Sequence, residues 1–209
     1  MKIHTVLATL LTVATLNAAP AGIGKSFVPT KKTHTQLTLE MRKLWEQHII
    51  YTRNYIICAI ANLPDTEAIA ARLLRNQDDI GNAFMPYYGE AAGSKLTVLL
   101  RDHIMIASEV VKAAKSGRKA AVDSIEAKWS ANSRDVANFL CSVNPNWPLK
   151  EMKEMLQDHL NLTTGEVVGR LAKDWAKDIS SFDEGHDHMM MFADILTDGI
   201  VKQFPEKFK

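Results

Sequence analysis

Three short stretches decide how this chain is read: Leu44-Trp45-Glu46-Gln47-His48-Ile49, Leu99-Leu100-Arg101-Asp102-His103-Ile104 and Met155-Leu156-Gln157-Asp158-His159-Leu160. In each, an apolar residue stands four before a His, and an apolar residue follows it. The His positions are 55 and 56 residues apart. A second pattern keeps nearly the same step. Asn76-x-x-Asp79-Ile80-x-Asn82 recurs as Asn132-x-x-Asp135-Val136-x-Asn138, and His188-x-x-Met191-Phe192-x-Asp194 stands 56 residues beyond that. A period of this size, agreeing in two separate segments, reads as three copies of one two-helix unit, the third diverged. Such a unit cannot bury its own apolar face, so the copies must stack.

The flanking sequence is helical throughout. Leu39, Met41, Leu44, Trp45, His48, Ile49, Thr52, Ile56 and Ala59 follow a period close to 3.6, and strand-like alternation is scarce. Leu63-Pro64-Asp65 closes one helix and opens the next, which runs to about Tyr88 with Gly89 as its stop. A third spans about Glu90 to Lys115 and a fourth about Arg118 to Val143. Asn144-Pro145-Asn146-Trp147-Pro148 is a break. A fifth region extends from Leu149 to about Lys177, and Thr163-Thr164-Gly165-Glu166 inside it is either a capping box or a weak spot in one long helix. The last helix covers about Ser181 to Gln203. Short connections between long helices predict an all-α, up-and-down bundle of six or seven helices built from repeated hairpins.

Residues 1–21 read as a secretory signal. Lys2 is the positive end, Thr5 to Leu16 the apolar core, and Ala19-Pro20-Ala21 the cleavage region. The apolar core is too short to span a bilayer, and no later stretch is long and apolar enough. The mature protein is therefore expected to be exported, periplasmic or secreted, with no membrane segment after cleavage. Residues 22–37, with Lys25, Lys31 and Lys32 and no acid, read as a disordered basic leader, leaving 38–209 as the bundle. The whole chain carries 25 Lys+Arg against 24 Asp+Glu, and cleavage removes Lys2 and no acid. A balanced charge speaks against a nucleic-acid surface. No Gly-x-x-x-x-Gly-Lys loop is present, so no nucleotide is expected; the missing Cys-x-x-Cys excludes a zinc finger, and there is no Gly-x-Ser-x-Gly elbow.

Folding each hairpin about its turn sets His48 opposite Asp79, His103 opposite Asn132 and Asp135, and His159 opposite His188. One polar layer across the middle of the bundle follows. His and carboxylate converging inside a bundle suit a transition metal such as Fe, Zn, Mn or Cu. His48, His103, His159 and His188 are then the candidate ligands, with Asp79 and Asp135 as ligands or as acceptors behind them. The other reading is a hydrogen-bond network that sets the register of the hairpins without metal, in a non-catalytic structural or binding bundle. Sequence leaves the two open. Paired Glu-x-x-His motifs of di-iron bundles are absent. The segment from Asp183 to Met191, with His186, His188 and Met190, is a separate copper candidate. Cys58 and Cys141 fall at levels of the bundle too far apart to pair, so two free thiols are expected.

Trp45-x-x-His48, Thr52-Arg53, Leu63-Pro64-Asp65, Arg72-Leu73-Leu74-x-Asn76, Asn144-Pro145-x-Trp147, Asp158-His159-Leu160-x-Leu162-Thr163 and Gln203-Phe204-Pro205-x-Lys207-Phe208 resemble an uncharacterised all-helical bacterial family. Its members are often labelled automatically as acetylglutamate kinase. The resemblance implies the helical fold, places His48 and His159 in a shared pattern, and carries no activity. A kinase of that class needs a Gly-rich phosphate loop and an α/β sheet, and this sequence has neither.

Overall fold

The structure, a computed structural model, describes residues 31–209. The expected signal, residues 1–21, lies outside the described residues, as does most of the expected leader. Six helices follow one another: α1 (His34–Ala61), α2 (Thr66–Tyr88), α3 (Glu90–Lys115), α4 (Lys119–Val143), α5 (Leu149–Ala172) and α6 (Trp175–Gln203). A 3₁₀ turn, Pro205–Lys207, ends the chain. The only extended pairing among the described residues is a single bridge between Lys32 and Phe208.

Each helix packs antiparallel on its neighbour in sequence, and α6 packs back on α1, closing a ring of three hairpins. Helices α1, α3 and α5 also meet across the ring and line its axis.

The repeat extends much further than the histidines. Met41, Leu96 and Met152 are equivalent and fully buried, as are Trp45, Leu100 and Leu156. On the even helices the same step relates Ile80, Val136 and Phe192, and again Phe84, Leu140 and Leu196, all in the core. One hydrogen bond recurs in every hairpin. The Asn76 amide donates to the Leu44 carbonyl at 3.0 Å, the Asn132 amide to the Leu99 carbonyl at 3.0 Å, and His188 Nε2 to the Met155 carbonyl at 2.8 Å. Each acceptor lies four residues before the repeat's His. The third copy has changed the donor and kept the bond.

Two boundaries differ from the sequence reading. Helix α1 starts at His34, inside the expected leader. Thr33 and Gln36 form a capping box, with Gln36 N–H donating to Thr33 Oγ1 at 3.1 Å and Thr33 N–H to Gln36 Oε1 at 2.8 Å. Leu37 is buried. The break between α5 and α6 falls at Lys173-Asp174, not after Lys177. Lys173 takes a left-handed conformation (φ 60°), and the Asp174 side chain accepts from Lys177 N–H at 3.1 Å. Neither Gly nor Pro marks this turn, so the usual punctuation is missing. Helix α5 runs unbroken through Thr163–Glu166. Its Gly165 is a point of close packing, where a Cβ would come within 2.8 Å of Ser181 Oγ.

At the Asn144–Trp147 corner both Asn144 and Trp147 are buried, while Pro145 faces solvent. The Asn144 amide donates to the Tyr88 hydroxyl at 2.9 Å, and the Trp147 indole to the Ile195 carbonyl at 3.1 Å, lying against Gly199. Cys58 and Cys141 are unpaired, the first buried and the second half-buried.

Candidate functional site: the axial histidines and the cleft beside them

The odd helices bring His48, His103 and His159 together. Ring centroids of His48 and His159 are 5.5 Å apart, and those of His103 and His159 are 6.0 Å apart. All three are buried. Asp79 and Asp135 do not join them. Asp79 is half-exposed, 3.9 Å from Arg72, and Asp135 lies on the surface. In the first hairpin α2 sits about one helical turn from the register assumed from sequence, so Asn76 takes the inward position expected of Asp79; in the second, Asn132 stands opposite His103 as expected and Asp135 does not. His188 spends Nε2 on the Met155 carbonyl.

His103 is fully satisfied as a neutral ring. Asn132 uses its amide N–H on Leu99, so its oxygen faces His103 Nδ1 at 2.9 Å and that nitrogen carries the proton. The Trp129 indole N–H donates to His103 Nε2 at 3.1 Å. A metal on either nitrogen would break one of these bonds. His48 and His159 differ: Nδ1 of each has no partner among the described residues. Both line a void of about 10 Å³ with His103, Trp45, Ser133 and Met189. Burial, with some repulsion from His103, lowers the His48 pKa to about 3. Burial lowers that of His103 to about 4. His159 is held well below its ordinary range by burial first and then by its histidine neighbours. The layer is three buried neutral imidazoles, with Asn132 against His103 and Gln77 beside His48. Among the described residues, no group of three or more His, Cys, Asp or Glu is arranged to hold a metal ion.

The expected copper segment is dispersed. His186 lies 3.7 Å from Glu46 and 3.3 Å from Asp187, Met189 is buried in the core, and Met191 faces solvent.

Sequence reasoning missed two features. The first is a cleft of about 310 Å³ that begins one turn beyond the histidines. Equivalent residues of the three odd helices form its wall: Thr52, Ala107 and Thr163, then Ile56, Val111 and Val167. Leu73 and Leu74 of α2 and Trp129 of α4 complete it. Its charged groups are Glu67, Lys112 and Glu126. The signal for it was available: the residue four after each His is small in all three copies. Small side chains around an axis cannot fill the space that Met, Leu and Trp fill at the other end.

The second missed feature is a buried ionic cluster. Arg53 of α1 reaches Glu166 of α5 at 2.9 Å and Asp178 of α6 at 3.0 Å, and Arg170 reaches Asp178 at 3.0 Å. Glu166 and Asp178 are buried. Phe182 lies under the Arg53 guanidinium at 4.6 Å. Burial raises the Glu166 carboxyl to about 7, against the pull of Arg53 and with a push from Asp178. The repeat could have flagged it, since Glu166 stands where the other copies place Tyr55 and Val110, both buried.

No family model, curated protein or solved structure matches this chain.

Proposed function

We propose that the protein is an exported, non-catalytic binding bundle whose axial cleft takes a small, largely apolar molecule. Export rests on the signal-like residues 1–21. No helix among the described residues is long and apolar enough to cross a membrane. The observation that carries the binding reading is the cleft itself. Its volume of about 310 Å³ lies at the lower end of the range for small-molecule pockets, its walls are apolar, and a few polar groups sit at its edges. In this reading the histidine layer is the floor. His103 ties α3 to α4 through Asn132 and Trp129, His48 and His159 pack beside it as neutral rings, and the layer supplies no reaction. The test is a titration of the mature protein with the neutral fluorophore N-phenyl-1-naphthylamine. The reading expects saturable binding of one molecule per chain, with energy transfer from Trp129. Unsaturable or absent binding overturns it.

A second reading keeps a transition metal on the axis, and one observation favours it. The unpartnered Nδ1 atoms of His48 and His159 belong to residues that line the same void as the Met189 thioether. Two neutral imidazoles and a thioether are soft ligands suited to monovalent copper. This set replaces the six-residue set expected from sequence. Under this reading, protein reconstituted with Cu(I) keeps one equivalent through desalting and loses it in His159→Ala. No retained copper in the unaltered protein refutes it.

A further inference from the structure

The cleft is electrically lopsided. Beyond Tyr55 and Val111 it opens into a wider vestibule of about 480 Å³ between the end of α1, the start of α2 and the end of α3. The vestibule mixes apolar walls, Ala59, Leu63 and Pro64 among them, with the polar groups of Asn62, Thr66, Glu67, Lys112, Lys115 and Ser116. Lys112 is exposed and has no carboxylate within ion-pair distance among the described residues. Lys115 is held in place by the Ala59 carbonyl and the Asn62 side-chain oxygen, again without a carboxylate. Glu67, on the same rim, pairs with neither. The opposite mouth, between α4 and α5, carries the carboxylate of Glu126 beside Gln157 and Asn161 and no cation. An apolar trough thus runs from two ammonium groups to one lone carboxylate.

We infer that the ligand is a single-chain amphiphile with an anionic head, its tail in the cleft and its head in the vestibule at Lys112 and Lys115. The inference rests on the proposed binding function and adds the ligand's class and direction. The tail supplies affinity by leaving water. The head stays hydrated in the vestibule, where each ammonium contributes the modest attraction of an exposed pair. A cationic head there meets two like charges and one carboxylate. At the far mouth it meets Glu126 and must draw the chain in from the other side.

Three ten-carbon probes separate these cases: decanoate, decanol and decyltrimethylammonium, each measured by displacement of N-phenyl-1-naphthylamine. In low salt the inference expects decanoate to bind about tenfold more tightly than decyltrimethylammonium, the sum of two exposed charge interactions. It expects 0.5 M NaCl to shrink that ratio severalfold by screening. Lys112→Glu, a change at an exposed position, is expected to reverse the order of the two ions, with decanol as the uncharged reference in each protein. Equal binding of the two ions, a preference for the cation, or an unaltered order in Lys112→Glu overturns the inference while leaving the cleft reading intact. Failure of all three probes to displace the fluorophore overturns the cleft reading itself.

Discussion

The two halves of the bundle axis are made by the same three helices, yet one is closed and the other open. Towards the start of α1, α3 and α5 the axis is filled by Met41, Leu96 and Met152, then by Trp45, Leu100 and Leu156. Past the histidines it carries Thr52, Ala107 and Thr163, then Ile56, Val111 and Val167, and a cleft opens. Backbone and topology are shared, so side-chain volume makes the difference. Helices held apart by bulky residues at one end cannot close on small ones at the other, because packed helices are stiff and cores deform little. Space at the open end follows from the small residues that the repeat places there, and it gives that end room for a ligand.

The largest expected effect on this contrast comes from pH, because the histidines at the boundary are buried and neutral. Their folded pKa values lie below the ordinary value of 6.5. Their contribution to stability is therefore complete above pH 6.5 and is lost as pH falls. By pH 5 His48 and His103 together cost roughly 4 kcal/mol, about 2 each, and His159 adds in the same direction. Glu166 runs the other way. Its folded pKa is raised to about 7, so it adds stability that is present at low pH and lost as pH rises towards 7. Acidification regains about 2 kcal/mol of that by pH 5. Urea unfolding between pH 7.5 and 5 should show a net loss, and Glu166→Gln should make the loss steeper by removing the compensation. A flat profile would mean that the histidines are not buried as neutral rings.

Truncation should separate the halves next. Leu96→Ala, in the closed half, is expected to cost about 2–5 kcal/mol, because the cavity left there has nothing to collapse into it. Val111→Ala, on the cleft wall, is expected to cost about 1 kcal/mol, since it enlarges a space that already exists. Comparable losses in urea unfolding would break the comparison.

Within the histidine layer the expected differences are smaller. His103→Leu strands the Trp129 N–H and the Asn132 oxygen in the core, for about 2–4 kcal/mol. His48→Leu removes a ring whose Nδ1 already lacks a protein partner, and is expected to cost less than about 1.5 kcal/mol. Thermal unfolding of the two variants ranks them. Asp79→Ala and Asp135→Ala should fall within about 0.5 kcal/mol of the unaltered protein, as surface changes do. A large loss at either would return a carboxylate to the axial layer.

The fold was legible in the sequence because the repeat is dense. A His at a nearly constant step, helix-period apolar positions and Pro or Gly at most turns agree on a bundle of six or seven helices, and the structure has six. The α5–α6 turn escaped because Lys173 adopts the left-handed conformation without a Gly to announce it. The convergence of His48, His103 and His159 was also legible, since equal steps on equivalent helices place them at one level. The carboxylates were misplaced because hairpin arithmetic treats a turn as a hinge of zero offset. A real turn slides one helix along the other, and about one helical turn of slide put Asn76 where Asp79 was expected; in the second hairpin Asn132 met His103 as expected, while Asp135 faces solvent. The Arg53–Glu166–Asp178 cluster was hidden for a different reason: charged residues read as surface unless the repeat is used to ask what its other copies bury.

The most direct test of the account is to fill the open half. Ala107→Trp places a large side chain at the one position in the Thr52–Ala107–Thr163 layer that has least volume. The account predicts that this variant folds with unfolding stability equal to or above the unaltered protein and no longer binds N-phenyl-1-naphthylamine. A folded Ala107→Trp protein that binds the fluorophore as tightly as before would contradict it.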